Sequence, residues 1–189
     1  CHYHYIKTNS NINLSLKGEH QKENASLAIA IADSFLGKMN EKIILECLMS
    51  INWHGRNQII AKNPDIIFDV AHNESGLKSF LDFLKTGKKT YNKKTLLFSI
   101  QKEKKIQNVC KKLDFIFDDI IYSKTDAKRS MSYQEIKNHF SNIQYIENPN
   151  QAISDTIHSS KKNDLIAIIG THHWGNSLKS FFNICFDNI

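Results

Sequence analysis

A chain of 189 residues, 41% of them hydrophobic and 10% aromatic, can bury the core of one domain and part of a second. Its formal net charge is +6, but the lysines are scattered over predicted loops and helix faces, which argues against a nucleic-acid partner. No apolar run approaches the ~20 residues of a membrane-spanning helix, so no membrane partner is expected either.

Four cysteines lie far apart in the sequence and form no Cys-x-x-Cys pair: Cys1, Cys47, Cys110 and Cys185. This spacing favours reduced, mostly buried thiols over a disulfide framework, and it predicts a cytoplasmic location. The lack of a recognisable signal peptide carries no weight, because the sequence begins with Cys1 and not with Met.

Residues 1–51 are predicted to form a short β-hairpin followed by two helices. The first 16 residues alternate around a turn cluster at 9–11. A helix is predicted over 21–36, ended by Gly37, and a second helix over 40–49. One apolar face of each helix is predicted to be buried: Ala25, Ala28, Ile29, Ala32 and Phe35 in the first, and Ile43, Ile44, Cys47 and Leu48 in the second.

From residue 52 onward, predicted strands and helices alternate. Strands are predicted at 58–61, 66–69, 95–100, 119–123, 143–146 and 165–170. Helices are predicted at 75–85, 104–113, 132–140, 150–159 and 177–186. This alternation indicates an α/β domain with a mainly parallel sheet that is covered on both faces.

The segment 65–76 is the most informative part of the sequence. An apolar run ends at Asp69, and a Glu-Ser-Gly sequence five residues later opens an amphipathic stretch, which predicts a strand, a tight turn and a helix. Asp69 can accept hydrogen bonds from a ligand hydroxyl group. His72 and Asn73 lie beside a helix N-terminus, which favours anions, at the edge where open α/β sheets bind ligands.

Three further segments accompany Asp-Val-Ala-His-Asn at residues 69–73. They are Leu-Lys-Gly-Glu-His-Gln-Lys-Glu-Asn-Ala at 16–25, Trp-His-Gly-Arg-Asn-Gln at 53–58 and Asp-Leu-Ile-Ala-Ile-Ile-Gly-Thr at 164–171. In this order, the four segments resemble motifs of the dihydrofolate synthase/folylpolyglutamate synthase family, in the Mur ligase superfamily. The sequence departs from the family at Glu74, where proline is usual, and at His54 and Asn57, where the family has proline and an aromatic residue.

The resemblance implies a Rossmann-like Mur ligase C-terminal domain at residues 52–189, preceded at 1–51 by the end of a central ATPase domain. Members of the family also carry a phosphate loop, Gly-Thr-Asn-Gly-Lys-Gly-Ser/Thr, and no such sequence occurs here. We therefore interpret the chain as the C-terminal part of a longer enzyme, or as a truncated gene product, and expect it to be inactive in isolation.

The reaction implied by the resemblance is ATP-dependent amide formation. ATP phosphorylates a carboxylate of dihydropteroate or a folate, the amine of L-glutamate attacks the acyl phosphate, and phosphate leaves. Mg²⁺ would bridge the ATP phosphates, with most of its ligands outside this chain, in which no metal site is predicted. The expected partners are these small molecules, and the full-length enzyme is expected to be a monomer.

The resemblance assigns three residues to ATP. Asn24 would contact the adenine base, Arg56 the phosphates, and Asp69 the ribose hydroxyl groups. The residues alone also allow simpler interpretations: an asparagine on a helix surface, a surface arginine stacked on Trp53, and an N-cap for the helix that follows Asp69.

The amino-acid side of the implied site consists of His72, Asn73 and Thr171. The resemblance places His72, the predicted catalytic residue, by the incoming glutamate and the reacting phosphate, although a histidine that caps a turn is an equally simple interpretation. Thr171 keeps the hydroxyl group of the serine usual in the family. Because His72 and Thr171 both follow predicted parallel strands, we expect them at the same edge of the sheet.

Other interpretations remain open. Residues 170–177 spell Gly-x-x-x-x-Gly-Asn-Ser, a phosphate-loop pattern that lacks the essential lysine, and the adjacent His172 and His173 lack partners at metal-ligand spacing. At the level of the whole chain, the alternatives are another Mur-type ligase, for peptidoglycan or cyanophycin, and a non-catalytic nucleotide-binding or protein-binding remnant.

Overall fold

The computed structural model describes residues 5–184, and the chain divides into two compact units after Trp53. Cys1 and Cys185, for which buried thiols are predicted, lie outside the described residues. Within the described part, no helix combines the length and the apolar character needed to cross a membrane.

The first unit contains two helices, α1 at Glu19–Leu36 and α2 at Glu41–Ser50. Gly37 ends α1 with a φ of 78°, a left-handed value that glycine adopts without strain. The side chain of Asn40 caps α2 by accepting a 2.9 Å hydrogen bond from the N–H of Lys42. The bounds of α1 and α2 agree within two residues with the helices predicted over 21–36 and 40–49, so both predictions are confirmed.

The β-hairpin predicted at the start of the chain is wrong for the residues that the structure describes, because no strand lies between residues 5 and 18. The polar groups of this segment bond to the helices instead. The N–H of Asn9 donates to Oγ of Ser26 in α1 (3.0 Å), and the hydroxyl of Ser15 donates to the carbonyl of Leu48 in α2 (3.3 Å). An alternation of apolar and polar residues does not specify which element a segment will pair with. Here the segment bonds to two helices, and not to a second strand.

The predicted apolar faces of α1 and α2 are only partly buried. Ala25 and Leu48 are buried as predicted. In contrast, Phe35 is 85% exposed, Ile43 is 58% exposed, and the free thiol of Cys47 is also exposed. Helical periodicity identifies an apolar face, but only a neighbouring element can bury it, and the small core of this unit does not reach these positions. Of the other predicted positions, Ala28 is exposed and Ile29, Ala32 and Ile44 are half-buried.

The second unit is built on a six-stranded sheet. Its strands are β1 Gln58–Ala61, β2 Asp65–Asp69, β3 Lys94–Phe98, β4 Asp119–Tyr122, β5 Gln144–Tyr145 and β6 Leu165–Ile169. In space they follow the order β1-β2-β6-β3-β4-β5, in which β1 is antiparallel to β2 and all other neighbours are parallel. The short connection from β1 to β2 allows only antiparallel pairing, whereas the longer crossovers allow parallel pairing. The predicted α/β class with a mainly parallel sheet is confirmed.

Five helices cover this sheet: α3 Glu74–Thr86, α4 Gln107–Ile116, α5 Tyr133–Ile136, α6 Pro149–Ser159 and α7 Trp174–Phe182. Two of them differ from the predictions. The helix predicted over 132–140 is one α-helical turn followed by a 3-10 turn at Lys137–His139. The helix predicted over 177–186 begins earlier, at Trp174, whose indole N–H donates to the carbonyl of Ile169 at 3.2 Å. The end of that predicted helix lies beyond the described residues.

Both faces of the sheet are covered because alternate residues of a strand point to opposite sides. On the fully buried β6, Ala167 and Ile169 belong to the core cluster formed with α3 and α4, whereas Ile166 and Ile168 belong to the cluster formed with α6 and α7. Cys110, a free thiol on α4, is buried in the first cluster, as predicted. This two-sided core holds the strand ends, and the turns that follow them, in fixed positions.

Candidate functional site

The turns that follow β2, β6 and β3 lie side by side along one edge of the sheet. Asp69, the last residue of β2, is the register partner of Ile169 at the end of β6, and Ile169 is also the partner of Phe98 at the end of β3. Because these strands are parallel, His72 and Thr171 follow strand ends at the same edge. The predicted common edge is confirmed, and open α/β sheets bind ligands at this edge.

Asp69 connects the end of β2 to the turn at residues 54–57. Its carboxylate is 5% exposed, Oδ2 accepts a 2.7 Å hydrogen bond from the N–H of Asn57, and Oδ1 accepts one of the same length from Ala71. Burial raises the pKa of Asp69 to about 6, while these two hydrogen bonds and the nearby Arg56 and His72 oppose the rise. The side chain is thus a buried carboxylate that organises two turns.

The helix after Asp69 is capped by another residue. Asn73 is the N-cap of α3, and its Oδ1 accepts a 2.8 Å hydrogen bond from the N–H of Gly76. The simpler interpretation of Asp69 as the N-cap is therefore wrong. The cap uses one lone pair of Oδ1 of Asn73, so the second lone pair and the amide N–H groups stay available for the predicted ligand role.

Backbone conformation and close packing restrict which residues can occupy the turn at residues 54–57. Gly55 has a φ of 71°, and a Cβ there would lie 2.6 Å from Cγ1 of Val70, so glycine is required. The carbonyl of Gly55 in turn accepts a 2.9 Å hydrogen bond from the N–H of Val70. Asn57, which replaces the aromatic residue usual in the family, is 1% exposed with a φ of 46°, a left-handed value that asparagine tolerates well.

Arg56 lies between these two constrained residues of the turn. Its side chain is half-buried, and its charge acts to lower the pKa of Asp69, so the guanidinium lies near the carboxylate. The guanidinium makes no hydrogen bond or ion pair with any residue between 5 and 184. The turn therefore carries a cation within electrostatic reach of the buried carboxylate.

His72 is exposed, and its ring is held in one orientation. Nδ1 lies 2.9 Å from the carbonyl oxygen of Val70, which can only accept, so Nδ1 carries the proton and donates. In the neutral ring, Nε2 is then an acceptor. The ring thus bonds to its own turn, as the simpler interpretation expects, and it keeps one nitrogen for a ligand.

Gly170 and Thr171 form the turn after β6. A Cβ on Gly170, which has a φ of 109°, would lie 1.8 Å from the carbonyl oxygen of Ser99, so glycine is required where the turns after β6 and β3 meet. Thr171 is 3% exposed, and its Oγ1 accepts a 3.2 Å hydrogen bond from the N–H of His173. Since α7 begins at Trp174, the remainder of the phosphate-loop pattern lies inside a helix, and that interpretation is wrong.

Two residues near this edge, Asp126 and Arg129, were not identified from the sequence. Burial lowers the pKa of His172, and His173, His72 and Arg129 lower it further, so these groups lie within electrostatic reach of one another. Nε2 of His173 lies 3.7 Å from Oδ2 of Asp126. Asp126 and Arg129 follow the end of β4. Asp69 was identified because it ends a predicted strand, and the same attention to strand ends could have identified these two residues.

Asn24 lies on the exposed face of α1, in the first unit. Its Nδ2 donates a 3.3 Å hydrogen bond to Oε1 of Gln21, one turn earlier. This is the arrangement expected for an asparagine on a helix surface, and the amide oxygen of Asn24 is not used in that hydrogen bond. Its predicted contact with adenine stays a prediction.

The described residues do not fit a magnesium site. Between residues 5 and 184, no group of three or more histidine, cysteine, aspartate or glutamate side chains is arranged to hold a metal ion. The one acidic side chain among the predicted nucleotide residues is Asp69, and a single carboxylate is too few ligands for a metal site within this chain. We therefore assign no step of the chemistry in this chain to a bound metal.

Comparison with known proteins identifies similar chains. Residues 55–172 match the model of the Mur ligase, glutamate ligase domain family. The dihydrofolate synthase/folylpolyglutamate synthase of Bacillus subtilis is 26% identical over 180 residues, which cover 92% of this chain and 41% of that protein.

Two solved structures share the fold. The folylpolyglutamate synthase of Mycobacterium tuberculosis, complexed with ADP and AMPPCP, aligns with a TM-score of 0.79 at 20% identity over 93% of this chain and 42% of its own. A bifunctional folylpolyglutamate synthase/dihydrofolate synthase with Mn, AMPPNP and L-glutamate bound aligns with a TM-score of 0.76 at 15% identity. The alignment covers 92% of this chain and 42% of that protein. The chain thus spans about two fifths of the length of these relatives.

The resemblance inferred from the four sequence segments is confirmed by these relatives. The matched region contains the turn with Gly55, the end of β2 at Asp69 and the turn with Thr171, so it includes the edge described above. Since the family model matches more than half of the sequence, the chain belongs to the Mur ligase family, and residues 55–172 match the glutamate ligase domain of that family.

Proposed function

We propose that the chain is the C-terminal part of an ATP-dependent ligase that adds L-glutamate to dihydropteroate, to a folate or to both, through an acyl phosphate. The observation that carries this proposal is the common edge of the turns after β2 and β6, within the region matched by the glutamate ligase domain model. One structural neighbour was solved with AMPPNP and L-glutamate bound, which supports the same ligands here.

The ATP-binding role of the second unit would rest on Asp69 and Arg56, and that of the first unit on Asn24. Each oxygen of the Asp69 carboxylate accepts one backbone hydrogen bond, so each keeps a lone pair for a ribose hydroxyl group. The guanidinium of Arg56 would bind a phosphate, and the amide of Asn24 has the donor and acceptor that match the edge of adenine. ATP is a substrate of this reaction.

The amino acid would lie against His72, Asn73 and Thr171. Nε2 of His72 would accept a hydrogen bond from the glutamate amino group, and so orient the amine for attack on the acyl phosphate. Oγ1 of Thr171 accepts from a backbone N–H, which leaves its own proton to donate to a glutamate carboxylate. Catalysis on this side of the site would consist of positioning and electrostatic stabilisation.

The same proposal assigns residues 1–51 to the end of a central ATPase domain and residues 52–189 to the C-terminal domain. The division of the chain after Trp53 supports a boundary in this region. We further propose a cytoplasmic enzyme that is a monomer when full length.

A direct test is an NMR titration of the ¹⁵N-labelled chain with single ligands. L-Glutamate should shift the amide resonances of His72, Asn73 and Thr171, D-glutamate should shift them less, and ADP should shift those of Arg56 and Asp69. Shifts with another amino acid, but not with glutamate, would indicate a different Mur-type ligase. Shifts with ADP but with no amino acid would indicate a non-catalytic nucleotide-binding remnant, and no shift with either kind of ligand would indicate a protein-binding remnant.

A second experiment supplies a larger protein. The chain would be joined to the part of the Bacillus subtilis relative that it does not match, and we call this protein the reconstituted ligase. It should release phosphate from ATP only when L-glutamate and either dihydropteroate or a folate are both present. Circular dichroism would verify that a protein without activity is folded.

A further inference from the structure

The opposite edge of the sheet, at the amino ends of the parallel strands, carries a cavity of about 690 Å³. It lies where β3 begins at Lys94 and β6 begins at Leu165, beside the last turns of α3 and α4. The strands separate it from the edge that holds Asp69 and His72. Its volume falls within the range of roughly 300–1,000 Å³ that is typical of small-molecule sites.

The cavity combines an apolar surface with a basic rim. Leu84, Tyr91, Ile116 and Leu165 provide apolar surface, and Phe115, which is 90% exposed, forms a lip. The lysines of the rim come from α3, β3, α4 and the segment between α3 and β3: Lys85, Lys89, Lys94, Lys111 and Lys112. No aspartate or glutamate is among its described lining residues.

Of the acidic residues close to the cavity, Asp118 accepts a 2.7 Å hydrogen bond from the backbone N–H of Lys94, and two others are paired with lysines of the rim. The carboxylate of Asp65 forms an ion pair with Nζ of Lys89 at 2.8 Å and accepts a 2.9 Å hydrogen bond from the hydroxyl of Tyr91. Burial acts to raise the pKa of Asp65, but the bonds from Lys89 and Tyr91 lower it overall, so Asp65 stays ionised and neutralises Lys89. Asp82 likewise lies 3.4 Å from Nζ of Lys85.

Three lysines of the rim keep their positive charge for a ligand. The ammonium groups of Lys94, Lys111 and Lys112 form no ion pair with any described residue. The C-termini of α3 and α4 point to this edge, and each carries about −0.5 of an elementary charge, so together they offset only about one lysine charge. Among the lining residues of the cavity, positive charge therefore exceeds negative charge, and it lies above an apolar surface.

We propose that this cavity binds a small organic anion that has an apolar body and one acidic group. The apolar body packs against Tyr91, Phe115 and Ile116, where water would otherwise cover apolar surface. The acidic group lies among Lys94, Lys111 and Lys112. The site is independent of the proposed ligase reaction, because the sheet separates the two edges and no residue belongs to both.

The test uses three probes and the labelled chain. Naphthalene-2-sulfonate offers an aromatic body, dodecanoate an aliphatic body with the same charge, and 2-naphthalenemethanol a neutral body. At least one of the two anions should shift the resonances of Tyr91, Phe115 and Ile116 to saturation, without shifting those of Asp69 and His72. The neutral alcohol should bind at least about tenfold more weakly, and high salt should weaken the binding of the anion.

Variants separate the cavity from general surface charge. Lys111→Gln combined with Lys112→Gln should weaken the binding of the anion about tenfold. Lys104→Gln combined with Lys105→Gln removes the same charge just before α4 and should have little effect. Phe115→Ser changes an exposed lip without disturbing the core and should also weaken binding. Equal binding of the neutral alcohol, equal effects of the two lysine pairs, or the absence of saturable shifts at the cavity would each overturn the proposal.

Discussion

The carboxylate of Asp69 accepts a 2.7 Å hydrogen bond from the backbone N–H of Asn57, twelve residues earlier in the chain. This bond joins the end of β2 to the turn that carries Arg56. The two motifs that the sequence presents as separate segments are therefore one structural piece. A change at Asp69 should alter the position of Arg56 as well as the carboxylate itself.

Asp69→Ala should lower the free energy of unfolding of the chain by about 2–4 kcal/mol, because it leaves two buried N–H groups without acceptors. Urea denaturation followed by circular dichroism measures this loss. In the reconstituted ligase, the same change should raise the KM for ATP about tenfold or more. An unchanged stability together with an unchanged KM would contradict both the structural and the nucleotide role of Asp69.

The ionisation of Asp69 should affect stability in a definite pH range. The pKa of Asp69 is raised by burial from 3.8 to about 6, so the folded chain binds this proton more tightly than the unfolded chain. Its contribution to stability is complete below pH 3.8 and is lost as the pH rises through about 6. A ¹³C NMR titration of the carboxyl group should give a midpoint near 6, and a midpoint at 3.8 or below would contradict the burial effect.

Thr171→Ala in the reconstituted ligase should impair the use of glutamate while the KM for ATP stays near its original value. The reason is that the hydroxyl proton of Thr171 is proposed to bind a glutamate carboxylate, on the side of the site away from the nucleotide. Thr171→Ser keeps the hydroxyl group and serves as the matched control, with nearly normal activity. Equal losses for alanine and serine would indicate that the buried methyl group matters and the hydroxyl group does not.

His172 should titrate below the ordinary histidine value of 6.5, because burial and the neighbouring His173, His72 and Arg129 all lower its pKa. The unfolded chain then binds this proton more tightly, so the contribution of His172 to stability is present above pH 6.5 and is lost as the pH falls. An NMR titration of the imidazole resonances measures the pKa. Arg129→Ala should raise it, and a pKa that does not respond would show that Arg129 is too distant.

The chain of 189 residues should release no phosphate from ATP by itself, because its sequence contains no Gly-Thr-Asn-Gly-Lys loop to hold the phosphates. The assay mixture would contain ATP, Mg²⁺, L-glutamate and dihydropteroate. The reconstituted ligase, assayed in parallel, is the positive control. Turnover of the isolated chain at about 1 per second or faster would refute the expectation.

The sequence by itself determined the class of the fold and the edge of the candidate site. Strand and helix patterns, capping residues and glycine positions are local signals, so they place elements such as β2 and α3 within a residue or two. Alternation of strands and helices then requires parallel pairing through crossovers, and parallel strands end at one edge. For this reason His72 and Thr171, 99 positions apart, could be assigned to the same edge without a structure.

Only the tertiary structure decided which groups meet there and which surfaces stay open. The bond between Asp69 and Asn57, the proximity of Arg129 to His172, and the lysine-rimmed cavity all depend on contacts between segments that are distant in sequence. The predicted hairpin and the predicted burial of Phe35 were wrong for the same reason. A local pattern states what a segment can bury or pair, but its partner is chosen by packing across the whole unit.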